Sequence, residues 1–252
     1  LKGKKITVVG CGAIGSHVAP GLVRLGAGTG AGCLDLVDYD DMKPENLGRH
    51  VLGYPALFKS KAEALAEELK RQFPFAKIRA RVRSVKGLPD LFDADLVIDA
   101  TGEEIVSEMI NAMRLDKGTE VPVLHVRIRG NGECVQTFWA EGRRLGCFRC
   151  LLQAEHNHYR QERFPVLKEL PTRKQLGCNG FTPYAVSAPM AAAALCLEVV
   201  VDWLQYGRAS PRFRTSAMAN ANVYGVKNQD VSRLAACPAC GPRDAQATAI
   251  RP

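Results

Sequence analysis

The chain has 252 residues, 46% of them apolar and 24% charged, with a net charge of +8, a sequence pI near 9.1 and nine cysteines. That composition is ordinary for a globular protein with a substantial core. No apolar run approaches the roughly 20 residues needed to span a bilayer and no secretory leader stands at Leu1, so a cytoplasmic protein without a membrane anchor is expected. The basic residues are scattered and no aromatic residues interleave with them, so nucleic acid is not an expected partner; ATP or an acidic protein accounts for the charge as well.

In chain order, residues 5–9 (Lys-Ile-Thr-Val-Val) read as a buried parallel strand, followed at once by Gly10-Cys11-Gly12-Ala13-Ile14-Gly15. Glycines at that spacing let a tight turn place backbone N–H groups against a phosphate at a helix N-terminus. The helix that follows breaks a local rule with Pro20 and Gly21, one removing a hydrogen bond and the other costing about 1 kcal/mol, with no reason visible in the sequence. A second strand at 33–37 ends on Asp38, where a carboxylate can accept ribose hydroxyls. So far a nicotinamide dehydrogenase fits equally. Arg49 and Lys61 follow the acid, however, and cations over equatorial phosphate oxygens serve in-line attack at phosphorus, which shifts the reading to ATP.

Apolar residues at 62, 65, 66, 69 and 73 give residues 61–73 the stripe of a helix with one buried face. Strands at 78–82 and 95–99, a helix at 104–115 and a strand at 121–128 continue the alternation of a doubly wound sheet. A strand at 133–139 follows without an intervening helix, so a mixed or antiparallel extension is expected. Residues 151–183 are long, polar and weakly periodic, and read as a crossover over the nucleotide site. Residues 190–204 form a nearly continuous apolar helix, either core or an oligomer face.

Cys147-Phe148-Arg149-Cys150 and Cys237-Pro238-Ala239-Cys240 supply four thiolates in two pairs, the set a closed structural zinc site uses. Cys11, Cys33, Cys134 and Cys196 sit in apolar context and read as core. Cys178, between Gly177 and Asn179 and just before the apolar helix, reads as an accessible thiol with a lowered pKa, with a structural thiol as the alternative.

The glycine turn, Asp38-x-Asp40, Asn46-Leu47-Gly48-Arg49, the downstream Lys61 and the paired cysteines resemble the ThiF/MoeB/HesA family and the adenylation domains of ubiquitin-activating enzymes, over nearly the whole chain. The resemblance implies an α/β, Rossmann-like, doubly wound and mostly parallel sheet with an antiparallel extension, a crossover loop and structural zinc. It implies one adenylation domain over 1–252, with a nucleotide-binding core at 1–140, a zinc knuckle and crossover at 141–183, and a C-terminal part at 184–252. By motif position, Gly10, Gly12 and Gly15 cradle phosphate, Asp38 with Asp40 serves the ribose end, Asn46 and Arg49 meet phosphates, and Lys61 neutralises charge near the attacked phosphorus. Lys59 stands close enough to exchange roles with Lys61. Where relatives carry a second acid that helps place Mg2+, this chain has Gly102, so Asp99 or Glu103 would serve, or ATP and water hold the metal. Cys178 matches the family's crossover cysteine. The function implied is ATP-dependent adenylation of the C-terminal carboxylate of a ubiquitin-like or sulfur-carrier protein ending in Gly, with transfer to Cys178. A conjugating enzyme or fused upstream domain is an expected partner, as is a second copy of the chain in a homodimer. The motif wording is closest to bacterial ubiquitin-style conjugation systems, some of them antiviral. A nicotinamide dehydrogenase and a zinc-stapled interaction module without turnover are the alternatives from other classes.

Overall fold

The computed structural model describes residues 1–142, 145–152, 161–176 and 179–241. Five strands run parallel: β1 (Lys5–Val9), β2 (Cys33–Val37), β3 (Ile78–Arg81), β4 (Leu96–Asp99) and β5 (Val123–Arg129). β6 (Cys134–Ala140) turns back antiparallel on β5, and β9 (Phe213–Ala217) pairs antiparallel with β6, giving the order β3-β2-β1-β4-β5-β6-β9. A short hairpin of β7 (Lys174–Leu176) and β8 (Asn179–Phe181) stands apart, inside the stretch the sequence reads as loop.

Alternation along the strands fills both faces of the sheet. Ile6, Val8, Leu34, Leu36, Leu96, Ile98, Leu124 and Val126 bury one face under the helices α1 (Ala13–Arg24), α2 (Lys61–Gln72) and α4 (Ser187–Tyr206). Val9, Val37, Val97, Val123 and Phe138 bury the other against α3 (Glu104–Lys117) and the cysteine cluster. Three of the helices have a local reason to start or stop. The Ser60 hydroxyl accepts the Glu63 N–H at the start of α2, while Gly118 and Gly207 end α3 and α4 in the left-handed conformation.

Gly21 has a tertiary explanation. A Cβ there would lie 2.3 Å from Leu197 Cδ1, so its hydrogen is what lets α1 and α4 cross closely. The structure offers no matching account of Pro20. The expectation that no apolar segment is long enough to cross a membrane needs correction, because α4 passes on length and composition. Its Ala192, Ala193, Cys196, Val199 and Val200 lie in the core beside α1 and the sheet, so apolarity here serves packing.

Candidate functional site

The glycines of the first turn meet three different steric demands. Gly10 has φ +88°, and a Cβ there would lie 2.9 Å from the Thr101 backbone. At Gly15 a Cβ would fall 1.8 Å from the Gly10 carbonyl oxygen. Gly12, the residue before α1, would place a Cβ in open space, which leaves the helix N-terminus accessible. No side chain caps that terminus and no acid lies in its first turn, so its N–H groups and dipole favour an anion.

Asp38, at the end of β2, ties the turn to the next segment. One carboxylate oxygen accepts the Cys11 N–H at 2.7 Å and the other the Asp40 N–H at 2.9 Å. Each oxygen keeps a lone pair for a ribose hydroxyl. Burial pushes this carboxyl above its ordinary pKa even though both backbone hydrogen bonds pull it down. Lys61 opens α2 almost fully buried and donates to Asp40 at 2.7 Å, whereas Lys59 is exposed; of the two lysines only Lys61 joins the acids. The Asn46 carbonyl oxygen accepts from the Arg49 and His50 N–H groups, and its side-chain oxygen accepts the Lys43 N–H, so the amide NH2 is what Asn46 can offer a phosphate. The Arg49 guanidinium lies 4.9 Å from the centre of the Tyr184 ring.

His50 locks these parts together. Its Nε2–H donates to the Cys11 carbonyl at 2.7 Å and its Nδ1 accepts the Leu52 N–H at 3.0 Å, which requires the neutral ring in one tautomer. Burial lowers its pKa to about 4, with Lys61 and His17 adding repulsion against the Cys11 hydrogen bond.

Asp99, at the end of β4, is fully buried and engaged on both oxygens. One accepts from the Thr101 hydroxyl at 2.6 Å and the Thr101 N–H at 3.2 Å; the other accepts from His125 Nδ1 at 2.8 Å and from the Ser107 hydroxyl. Burial raises its pKa, yet the His125 contact and the two hydroxyls outweigh it and hold the carboxyl below its ordinary range. Of the two acids the sequence offers for Mg2+, Asp99 is therefore occupied internally, and Glu103, just before α3, is exposed. Gly102 has φ +67°, a left-handed conformation that favours glycine.

The four paired cysteines converge. All four sulfurs lie within 4.8 Å of one another, with Cys147–Cys150 at 4.0 Å, Cys147–Cys237 at 3.8 Å and Cys150–Cys240 at 3.5 Å. Tetrahedral zinc at its usual 2.3 Å Zn–S distance separates sulfurs by about 3.8 Å, so this donor set fits zinc. Mutual S–H···S contacts hold the Cys150 and Cys237 thiols below their ordinary pKa and push Cys147 and Cys240 above it. Asn111 and Glu108 of α3 bind the Phe148 N–H and the Arg149 guanidinium, which fixes the first cysteine pair to the sheet's second layer.

The fold thus brings Gly10, Gly12, Gly15, Asp38, Asp40 and Lys61 to the carboxyl ends of β1 and β2, with Arg49 tied to α1 through the hydrogen bond from His17 to its carbonyl. Cys178 lies outside the described residues. Sequence reasoning missed His50, Thr101 and Tyr184. His50 adjoins Arg49 and could have been suspected, but Tyr184 has no local signal that couples it to the site.

A ThiF family model matches residues 1–238. The chain is 39% identical over 242 residues to the ATP-dependent ubiquitin transferase-like protein Cap2 of Pseudomonas aeruginosa, covering 95% of this chain and 43% of that protein. It is 33% identical over 220 residues to the Cap2 protein of Vibrio cholerae serotype O1, covering 82% of this chain and 36% of that one. It therefore spans less than half of these relatives. Among solved structures, E. coli MccB with ATP superposes with a TM-score of 0.70 at 19% identity, covering 96% of this chain and 68% of MccB, a likeness of fold. Matched over residues 1–238, this chain belongs to the ThiF family.

Proposed function

We propose that this chain is an adenylation domain that uses ATP to activate the C-terminal carboxylate of a ubiquitin-like or sulfur-carrier protein ending in glycine. The observation that carries the reading is the open glycine turn at Gly12 beside Asp38, Asp40 and buried Lys61, with Arg49 just beyond the acids. A carboxylate oxygen of the carrier attacks the α-phosphorus of ATP, the bond to the β-phosphate breaks, and pyrophosphate leaves with an acyl-adenylate as the other product. Asp38 holds the ribose, Asn46 and Arg49 hold phosphates, and Lys61 neutralises charge at the attacked phosphorus, so catalysis is positioning and charge stabilisation. Mg2+ supplies further charge neutralisation when bound with ATP; Glu103 is the exposed carboxylate on the turn after β4 that could help hold it.

In the second step the Cys178 thiolate attacks the acyl carbon, AMP departs and a thioester forms. The names of the Cap2 relatives support a ubiquitin-style conjugation setting. A conjugating enzyme or a further domain of the same protein as next acceptor, a homodimeric assembly and a reducing cytoplasm are further parts of this proposal. A zinc-stapled module without turnover is the second reading, favoured by Gly102 and by the internal engagement of Asp99.

The test is carrier-dependent exchange of labelled pyrophosphate into ATP. Arg49→Ala and Asp38→Ala should each reduce the rate at least about tenfold, roughly 1.4 kcal/mol of transition-state stabilisation. Wild-type rates in both variants would remove the site assignment, and ATP binding without exchange would favour the module. Cys178→Ala should retain exchange and lose a thioester to the carrier that reductant cleaves.

A further inference from the structure

Arg49 is held by a residue distant in sequence. Its guanidinium lies 4.9 Å from the centre of the Tyr184 ring, which stands just ahead of α4. A cation over an aromatic ring is bound by the ring's face, and a guanidinium in that position engages its own face while its N–H donors lie in its plane. A ring and an anion can therefore hold the same arginine at once, the ring fixing its plane and the anion meeting its edge. Burial pushes the Tyr184 phenol above its ordinary pKa against the pull of Arg49, so the ring stays neutral and brings no second negative charge to the guanidinium.

Tyr184 is in turn held by the turn between β5 and β6. Asn131 Nδ2 donates to the Pro183 carbonyl at 3.0 Å and to the Thr172 carbonyl at 2.9 Å, and its Oδ1 accepts the Thr172 N–H at 2.8 Å. All three bonds are made in one orientation of the amide, and reversing it breaks all three. Asn131 thus clamps both ends of the segment that carries the β7–β8 hairpin, and one of those ends is the residue before Tyr184. Gly132 supplies the room beside the clamp. It has φ +99°, and a Cβ there would stand 3.1 Å from the Cβ atoms of both Tyr184 and Ala188.

We infer that Tyr184 is a positioning residue for nucleotide phosphates: it presents the Arg49 fork to them in a fixed plane, and Asn131 and Gly132 hold it there. The inference rests on the adenylation reading for the identity of the anion. It makes the foot of the hairpin segment a support of the phosphate site, with the chain of contact running from Asn131 through Pro183 and Tyr184 to Arg49.

The experiment titrates a non-hydrolysable ATP analogue with Mg2+ into the full chain by calorimetry. Tyr184→Leu, which removes the ring, should weaken binding at least about fivefold, and Tyr184→Phe, which keeps it, should stay within about twofold of wild type. In an Arg49→Ala chain the Tyr184→Leu change should add less than about twofold, because the ring acts through the guanidinium. Asn131→Asp sets an acceptor against the Pro183 and Thr172 carbonyls and should weaken the analogue at least about threefold; it reaches the ring by a second route if Tyr184→Leu does not fold. Wild-type affinity in Tyr184→Leu, or in Asn131→Asp where that variant stands in for it, overturns the positioning role. So does a loss as large without Arg49 as with it, or a Tyr184→Phe chain as weak as Tyr184→Leu. Carrier-dependent pyrophosphate exchange is measured in parallel. An Arg49-dependent effect of Tyr184 on binding without any exchange keeps the inference and removes the adenylation reading; exchange without that effect does the reverse. A wild type that does not bind the analogue at millimolar concentration removes both.

Discussion

Protonation of His50 tests the architecture of the site directly. The ring is 7% exposed, and its two nitrogens hold the Cys11 carbonyl and the Leu52 N–H, an arrangement available only to the neutral form. With a folded pKa of about 4 against 6.5 unfolded, the unfolded chain binds the proton first as pH falls. The stability tied to His50 is complete above pH 6.5, is lost as pH falls through the window below it, and is gone near pH 4. Between pH 7 and 4.5 the loss is about 2 kcal/mol, or about 4–8 °C in melting temperature for a chain of this size. His50→Gln retains an N–H for the Cys11 carbonyl and removes the titration. Asp38, whose raised pKa works in the opposite direction, is present in both proteins and cancels in the difference. Asp99, held below its ordinary value, titrates beneath this window. Thermal melts at the two pH values should therefore show the wild type losing about 2 kcal/mol more than the variant. An equal loss in both would refute the neutral, doubly bonded ring.

Gly12→Ala and Gly15→Ala should separate binding from folding: the first should melt within about 2 °C of wild type yet bind ATP at least about tenfold more weakly, and the second should lose stability by calorimetry because its Cβ meets the Gly10 carbonyl. Cys150→Ser or Cys237→Ser should bring zinc below about half an equivalent by metal analysis, and a chelator should lower the wild-type melting temperature, since all four ligands come from the chain. Gly21→Ala should cost about 1–3 kcal/mol in denaturant melts by overpacking α1 on α4, and Leu197→Ala in the same chain should recover part of it.

The sequence alone determined the elements whose causes are local. Alternating strands and helices followed from apolar periodicity, the antiparallel β6 from the missing helix before it, and the convergence of the cysteine pairs from their spacing. The glycine turn was legible because φ above zero and close backbone approach are written in residue type. Partners distant along the chain were not legible. Nothing local to Cys11 shows that Asp38 takes its N–H and His50 its carbonyl, across separations of 27 and 39 residues. Lys61 and Lys59 differ little as sequence; the start of α2 puts one inward on Asp40 and leaves the other exposed. Asp99 looks like a free acid until the parallel register brings His125 beside it and α3 adds Ser107. Gly21 looks like a flaw until Leu197 crosses it. In each case short-range sterics and periodicity act within a few residues, whereas a buried polar group takes its partner from whatever the packed layers place beside it, and that is decided only when the sheet and its helices close.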